Sequence, residues 1–191
     1  MVHTVTRMVH AGSRRGWFAS FAMHLLGGAV GGIATAALAF AALRVAGIGE
    51  SVRVTSALGI VGVALLFDSR VLPLRLPSPK RQVPVRWREY FRPPTTAFLY
   101  GIGLGTGVTT RVYFATTYAV FLVAALTLPF VDALVVGAVY GASRSAGVWI
   151  AYGAGSLEDL RLALSHREER RWVVKVLNIA ALVALGFVLA I

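Results

Sequence analysis

Cysteine is absent from this 191-residue chain, and Asp and Glu together number only 8. Without cysteine there is no disulfide, no thiolate metal ligand, no thiol nucleophile and no dithiol relay. With so few carboxylates, no apolar stretch carries two on one helical face, so intramembrane acid–base chemistry has no basis. His, Asp and Glu show no metal-ligand spacing, and no G-x-S-x-G elbow occurs. Charged residues of both signs make up 14%, against roughly a quarter in soluble domains. A cytosolic enzyme, a disordered tail and a collagen-like fibre are excluded. The expectation is a protein that is not an enzyme and holds neither cofactor nor metal.

What the chain does have is apolar bulk: 57% hydrophobic residues and a mean hydropathy of +0.73. Five apolar stretches stand out against the ~20 residues needed to cross a bilayer. They run from Trp17 to about Val45, Val54 to Phe67, Thr96 to Leu128, Val131 to Tyr152, and Trp172 to Ile191. The fold expected is all-α: a polytopic helical membrane protein of about five transmembrane helices. The first and third stretches, at about 30 residues, exceed a ~30 Å hydrocarbon core and must tilt, break or fold back. Both carry glycine clusters, so both are read as long, glycine-broken spans.

Charge placement orients the spans. Of the 19 Lys and Arg residues, 17 are arginine. They concentrate in residues 1–16, in 68–95 and in 153–171, three blocks expected on the cytoplasmic side. The domain is then a cytoplasmic tail (1–16), a helical hairpin (17–67), a basic proline-rich loop (68–95), a second hairpin (96–152), a second cytoplasmic segment (153–171) and a last span (172–191). Trp17, Trp87, Trp149 and Trp172 fall near the same inner interface. Ser156 followed by Glu158 and Asp159, with Leu157, Leu160 and Leu164 on one face, reads as a short amphipathic helix on that surface. Arg44 and Arg53 flank the outer turn at Gly47–Ser51 and run against this orientation. The partners expected are anionic headgroups at the inner face of a cell membrane, and a partner subunit or second copy of the chain. Nucleic acid is not expected.

Glycine and arginine carry the candidate functional features. Gly27/Gly31, Gly28/Gly32, Gly101/Gly105, Gly103/Gly107 and Gly137/Gly141 are G-x-x-x-G pairs, which let helix backbones approach closely in lipid. The run Gly101–Gly107 is dense enough in glycine to weaken a helix, and Thr106, Thr109 and Thr110 offer hydroxyls to freed backbone groups. Such breaks line solute cavities. Arg111 follows directly, and Arg144 sits mid-span between Ser143 and Ser145. A guanidinium keeps its charge and costs at least ~2.5 kcal/mol at mid-bilayer. Each must face protein, water or a counter-ion. One reading is an anion-attracting interior with Arg111, Thr109, Thr110, Thr106, Arg144, Ser143 and Ser145 on the substrate. The other is structural pairing, such as Arg144 with Asp68 or Arg111 with Asp132. His24, inside the first span, is either a hydrogen-bonded packing residue or a titrating group.

The run from Phe98 to Ala119, FLYGIGLGTGVTTRVYFATTYA, resembles the start of the second repeat of DsbD/CcdA-type transmembrane proteins of cytochrome c biogenesis, in the wider group with LysE-type exporters. In that family a Gly-rich half-helix leads to a break with a Pro-Cys step and resumes as an Ala-rich half-helix. Gly103, Gly105 and Gly107 resemble its glycines, and Thr109-Thr110 stand at the Pro-Cys step. Gly27–Gly32 resemble the first-repeat counterpart, and Gly137–Gly147 the glycine-bearing helix that follows. The resemblance implies a broken-helix membrane fold. It does not imply the family's thiol chemistry, because this chain has no thiol. The function expected is a transporter- or channel-like protein for a small anion; the alternative is a non-transporting scaffold or accessory subunit.

Overall fold

The computed structural model describes residues 13–71, 76, 87–107, 112–152, 158–159, 162, 165 and 171–190. Among the described residues all regular structure is helical. Helix α1 spans Arg14–Val45. The Ser13 hydroxyl accepts from the Gly16 amide at 3.2 Å and caps its start. Its end is set by Gly47 at φ +65°, a left-handed position that glycine takes without a steric penalty. Helix α2 spans Glu50–Asp68, α3 is the single turn Trp87–Tyr90, and α4 spans Pro93–Gly105. Two prolines open α4, where their missing amides cost nothing. Helix α5 spans Thr116–Thr127, α6 Phe130–Ala146, extended by a 3-10 turn at Gly147–Tyr152, and α7 Arg171–Ala190.

Three helices, α1, α2 and α7, are long and apolar enough to cross a membrane. The third apolar stretch holds two helices, α4 and α5, of 13 and 12 residues. At about 20 and 18 Å each is shorter than a ~30 Å hydrocarbon core. The first stretch corrects an expectation. Helix α1 runs unbroken through Gly27–Gly32, because those glycines are held in the helix by backbone packing from two sides. The expected amphipathic helix on Leu157, Leu160 and Leu164 lies outside the described residues, as does half of the proline-rich loop.

The interior combines small and apolar residues with a few polar side chains: Ser20, His24, Asp68, Thr96, Thr117 and Ser145 are buried beside Trp17, Val61, Tyr100, Phe121 and Leu182. Large apolar side chains face outward, among them Leu38 at 72% exposure, Trp172 at 66% and Phe187 at 69%. Exposed apolar surface on this scale needs an apolar surrounding.

Two packing groups form the bundle. In the first, α1 runs parallel to α4 and antiparallel to α6. A Cβ added at Gly27 or Gly31 would strike the backbone of Phe98 or Ile102 on α4. One added at Gly28 or Gly32 would strike Gly141 or Gly137 on α6. From the other side, Cβ atoms at Gly101, Gly105 and Gly141 would fall on carbonyls of His24 and Gly28. Gly27/Gly31, Gly28/Gly32, Gly101/Gly105 and Gly137/Gly141, from three separate helices, therefore form one seam, with backbones touching where side chains would stand. At one end, Trp17 packs on Phe21 and Trp149 at ring separations of 5.1 and 5.4 Å. The second group is aliphatic: Ala57, Val61 and Ala64 of α2 meet Ala119, Val123 and Leu126 of α5 and Leu182 of α7.

Candidate functional site

Two of the buried polar residues, Asp68 and Thr117, meet at the first turn of α5. Ala115 has no side-chain donor or acceptor to cap that helix, and Asp68, at the end of α2, does so from 47 residues away. Its carboxylate accepts from the Ala115 amide at 2.6 Å, the Thr116 amide at 3.2 Å and the Thr116 hydroxyl at 2.6 Å. Asp68 is buried, at 4% exposure. Negative charge at a helix N-terminus meets the free amides and the positive end of the dipole.

One residue further on, Thr117 binds the second polar element. Its Oγ1 accepts from the Tyr140 hydroxyl at 2.7 Å and from Arg144 Nη1 at 3.3 Å. Arg144 also lies 3.4 Å from the Tyr140 hydroxyl, one turn back on α6. The Phe121 ring meets Tyr140 edge-on at 5.2 Å and fixes its position. Gly107, at φ +68°, closes the group from the α4 side, and a Cβ there would lie 2.9 Å from the Thr117 methyl. The end of α4 is tied to α1: the Thr35 hydroxyl donates to the Thr106 carbonyl at 2.9 Å, and the Thr106 hydroxyl to the Gly103 carbonyl at 3.1 Å.

The expected site residues therefore separate. Arg144 reaches the α5 start, and Thr106 stands at the α4 end. Ser143, next to Arg144 in sequence, is exposed and bonds back to the Tyr140 carbonyl at 2.8 Å. Ser145 is fully buried in the seam, where a Cβ at Gly28 would meet it. At about 100° per residue, three consecutive side chains cannot serve one site. Thr109, Thr110 and Arg111 lie outside the described residues. Asp132 is exposed in the first turn of α6.

His24 is buried, with Nδ1 2.8 Å from the Ala97 carbonyl. A carbonyl only accepts, so Nδ1 carries the hydrogen and ties α1 to α4. Its Nε2, with Ser20 Oγ and Ser145 Oγ, is buried without a hydrogen-bond partner among the described residues. Thr117, Tyr140 and Thr35 were missed by sequence reasoning. Tyr140 was legible, since it lies four residues before Arg144 on the same face. Thr117 and Thr35 are brought in only by tertiary packing.

Chemically, the group brings together the Arg144 guanidinium and the hydroxyls of Thr117 and Tyr140, groups able to meet an anion or to form a hydrogen-bonded chain. Among the described residues no His, Asp and Glu grouping could hold a metal ion. No protein-family model, curated protein or solved structure matches this chain.

Proposed function

We propose that the chain is a multi-pass protein of the cell membrane, N-terminus cytoplasmic, that binds and passes a small anionic solute at the junction of α4 and α5. The observation that carries this reading is the meeting of Arg144, Tyr140 and Thr117 at the start of a helix too short to span a bilayer. Arg111 lies only six residues before Thr117 in the chain. Two short helices in succession, α4 and α5, fit the half-helix plan of solute sites, and the likeness to DsbD/CcdA-type proteins is proposed in that respect alone. Five crossings are counted by taking α4, the linking residues and α5 as one interrupted span.

A second reading is favoured by the glycine seam. Backbone contact on two sides of α1 makes a rigid body, as an accessory subunit or scaffold requires. Reconstitution separates the two. In the solute reading, Arg111→Ala abolishes anion flux into vesicles while the protein still assembles. If the wild type passes no small solute and Arg111→Ala instead releases a co-purifying partner, the scaffold reading holds.

A further inference from the structure

Arg44 and Arg53 run against the charge rule that orients the three basic blocks, and the fold brings both to one cavity. It is a half-open cleft of about 240 Å³ between the α1–α2 turn and the end of α5. Phe40, Ile48, Leu126 and Leu128 form an apolar wall, and Arg44 and Arg53 contribute the charge. The Arg44 guanidinium lies over the Phe40 ring, 4.9 Å from its centroid, which holds it against the cavity. Arg53 is the more buried of the two arginines, with its side chain 27% exposed. One carboxylate is near: Glu50, 3.6 Å from Arg53, with a side chain 90% exposed. A pair so open to solvent holds its partner weakly. The cavity keeps a net positive charge.

Its position along α1 bears on the ligand. Trp17 and Trp149 mark one end of α1. At ~1.5 Å per residue, Arg44 stands about 40 Å further along the helix. That is close to the full thickness of a bilayer with its headgroups, about 40–45 Å. The cavity therefore opens at the headgroup level of the leaflet opposite the basic loops. Two arginines above an apolar wall match a phosphate head with chains attached. We infer that this cavity binds the headgroup of an anionic phospholipid from that leaflet. This rests on the chain being membrane-embedded, but not on any solute being passed.

The test is native mass spectrometry of the full chain released from nanodiscs containing phosphatidylcholine with phosphatidylglycerol. Flotation of the wild type with purely phosphatidylcholine vesicles reports membrane insertion separately, whatever the cavity does. The wild type is expected to retain phosphatidylglycerol, and Arg44→Gln/Arg53→Gln to bind it more weakly by an order of ~10-fold or more. Glu50→Gln is expected to tighten retention. Ala125→Leu, which fills the cavity with both arginines intact, is expected to lose the lipid too. Equal retention in the double arginine variant would overturn the inference. So would retention unchanged in Ala125→Leu, which would mean surface charge without a pocket. Displacement of the lipid by millimolar inorganic phosphate would make the cavity a soluble-anion site and equally overturn it.

Discussion

Asp68 and Thr116 are joined by two hydrogen bonds, from the threonine amide at 3.2 Å and its hydroxyl at 2.6 Å, across 48 residues of chain. This contact fixes where α5 begins relative to α2, and with it the position of Thr117, Tyr140 and Arg144. Asp68→Ala orphans three donors. Its expected cost is about 3 kcal/mol, read as a lowered midpoint of unfolding in detergent. Asp68→Asn keeps one acceptor and is expected to fall between the two. A midpoint unchanged in Asp68→Ala would mean that α5 does not depend on this cap.

The seam makes a position-specific claim about glycine. Gly141→Ala puts a methyl on the Gly28 carbonyl and forces α6 off α1, at an expected cost of about 2 kcal/mol. Gly62, on α2, has open space around its Cβ position. Gly62→Ala is expected to be neutral or stabilising by about 0.5–1 kcal/mol, since alanine favours helix. Thermal unfolding of both variants in the same detergent checks the contrast. The glycine faces of α1 and α6 that meet in the seam are filled within one chain.

The missing cysteine makes orientation simple to measure. Ser51→Cys, in the short turn side of α2, and Ser78→Cys, in the proline-rich loop, each introduce the only thiol in the chain. With an impermeant maleimide added to intact cells, Ser51→Cys is expected to label and Ser78→Cys to label only after lysis. The reverse pattern would invert the proposed topology.

Much of the fold was legible from composition, and the reason is physical. Apolar runs of span length announce helices α1 and α7 directly, because lipid demands it, whereas the 14-residue run Val54–Phe67 gives only part of the 19-residue α2. The glycine pairs announced close packing, but not the partners: only the fold shows Gly27 and Gly31 facing α4 while Gly28 and Gly32 face α6. The expectation of a break in α1 failed because glycine's helix penalty is offset by contacts that a single stretch does not reveal. Arg144 was legible as a costly charge, and Tyr140 by its spacing. Asp68 as the cap of α5 was not, since 47 residues separate it from Ala115.

Within the polar group, Tyr140 contacts both Thr117 and Arg144, which also bond each other. Tyr140→Phe keeps the ring against Phe121 and removes only the hydroxyl. It is expected to raise the half-saturating anion concentration about tenfold, the value of a hydrogen bond to a charged partner, with little change in unfolding midpoint. Thr117→Val is expected to do the same and Thr117→Ser to restore binding. Concentration-dependent uptake into vesicles reads this directly.

The central claim is that Arg144 serves a passing anion, and it is most directly tested by flux into vesicles containing purified protein. Wild-type protein is expected to show saturable uptake of small anions over cations of similar size, and Arg144→Gln to lose at least about tenfold of it with an unchanged unfolding midpoint. Absence of wild-type flux, or flux in Arg144→Gln equal to wild type, would contradict the account.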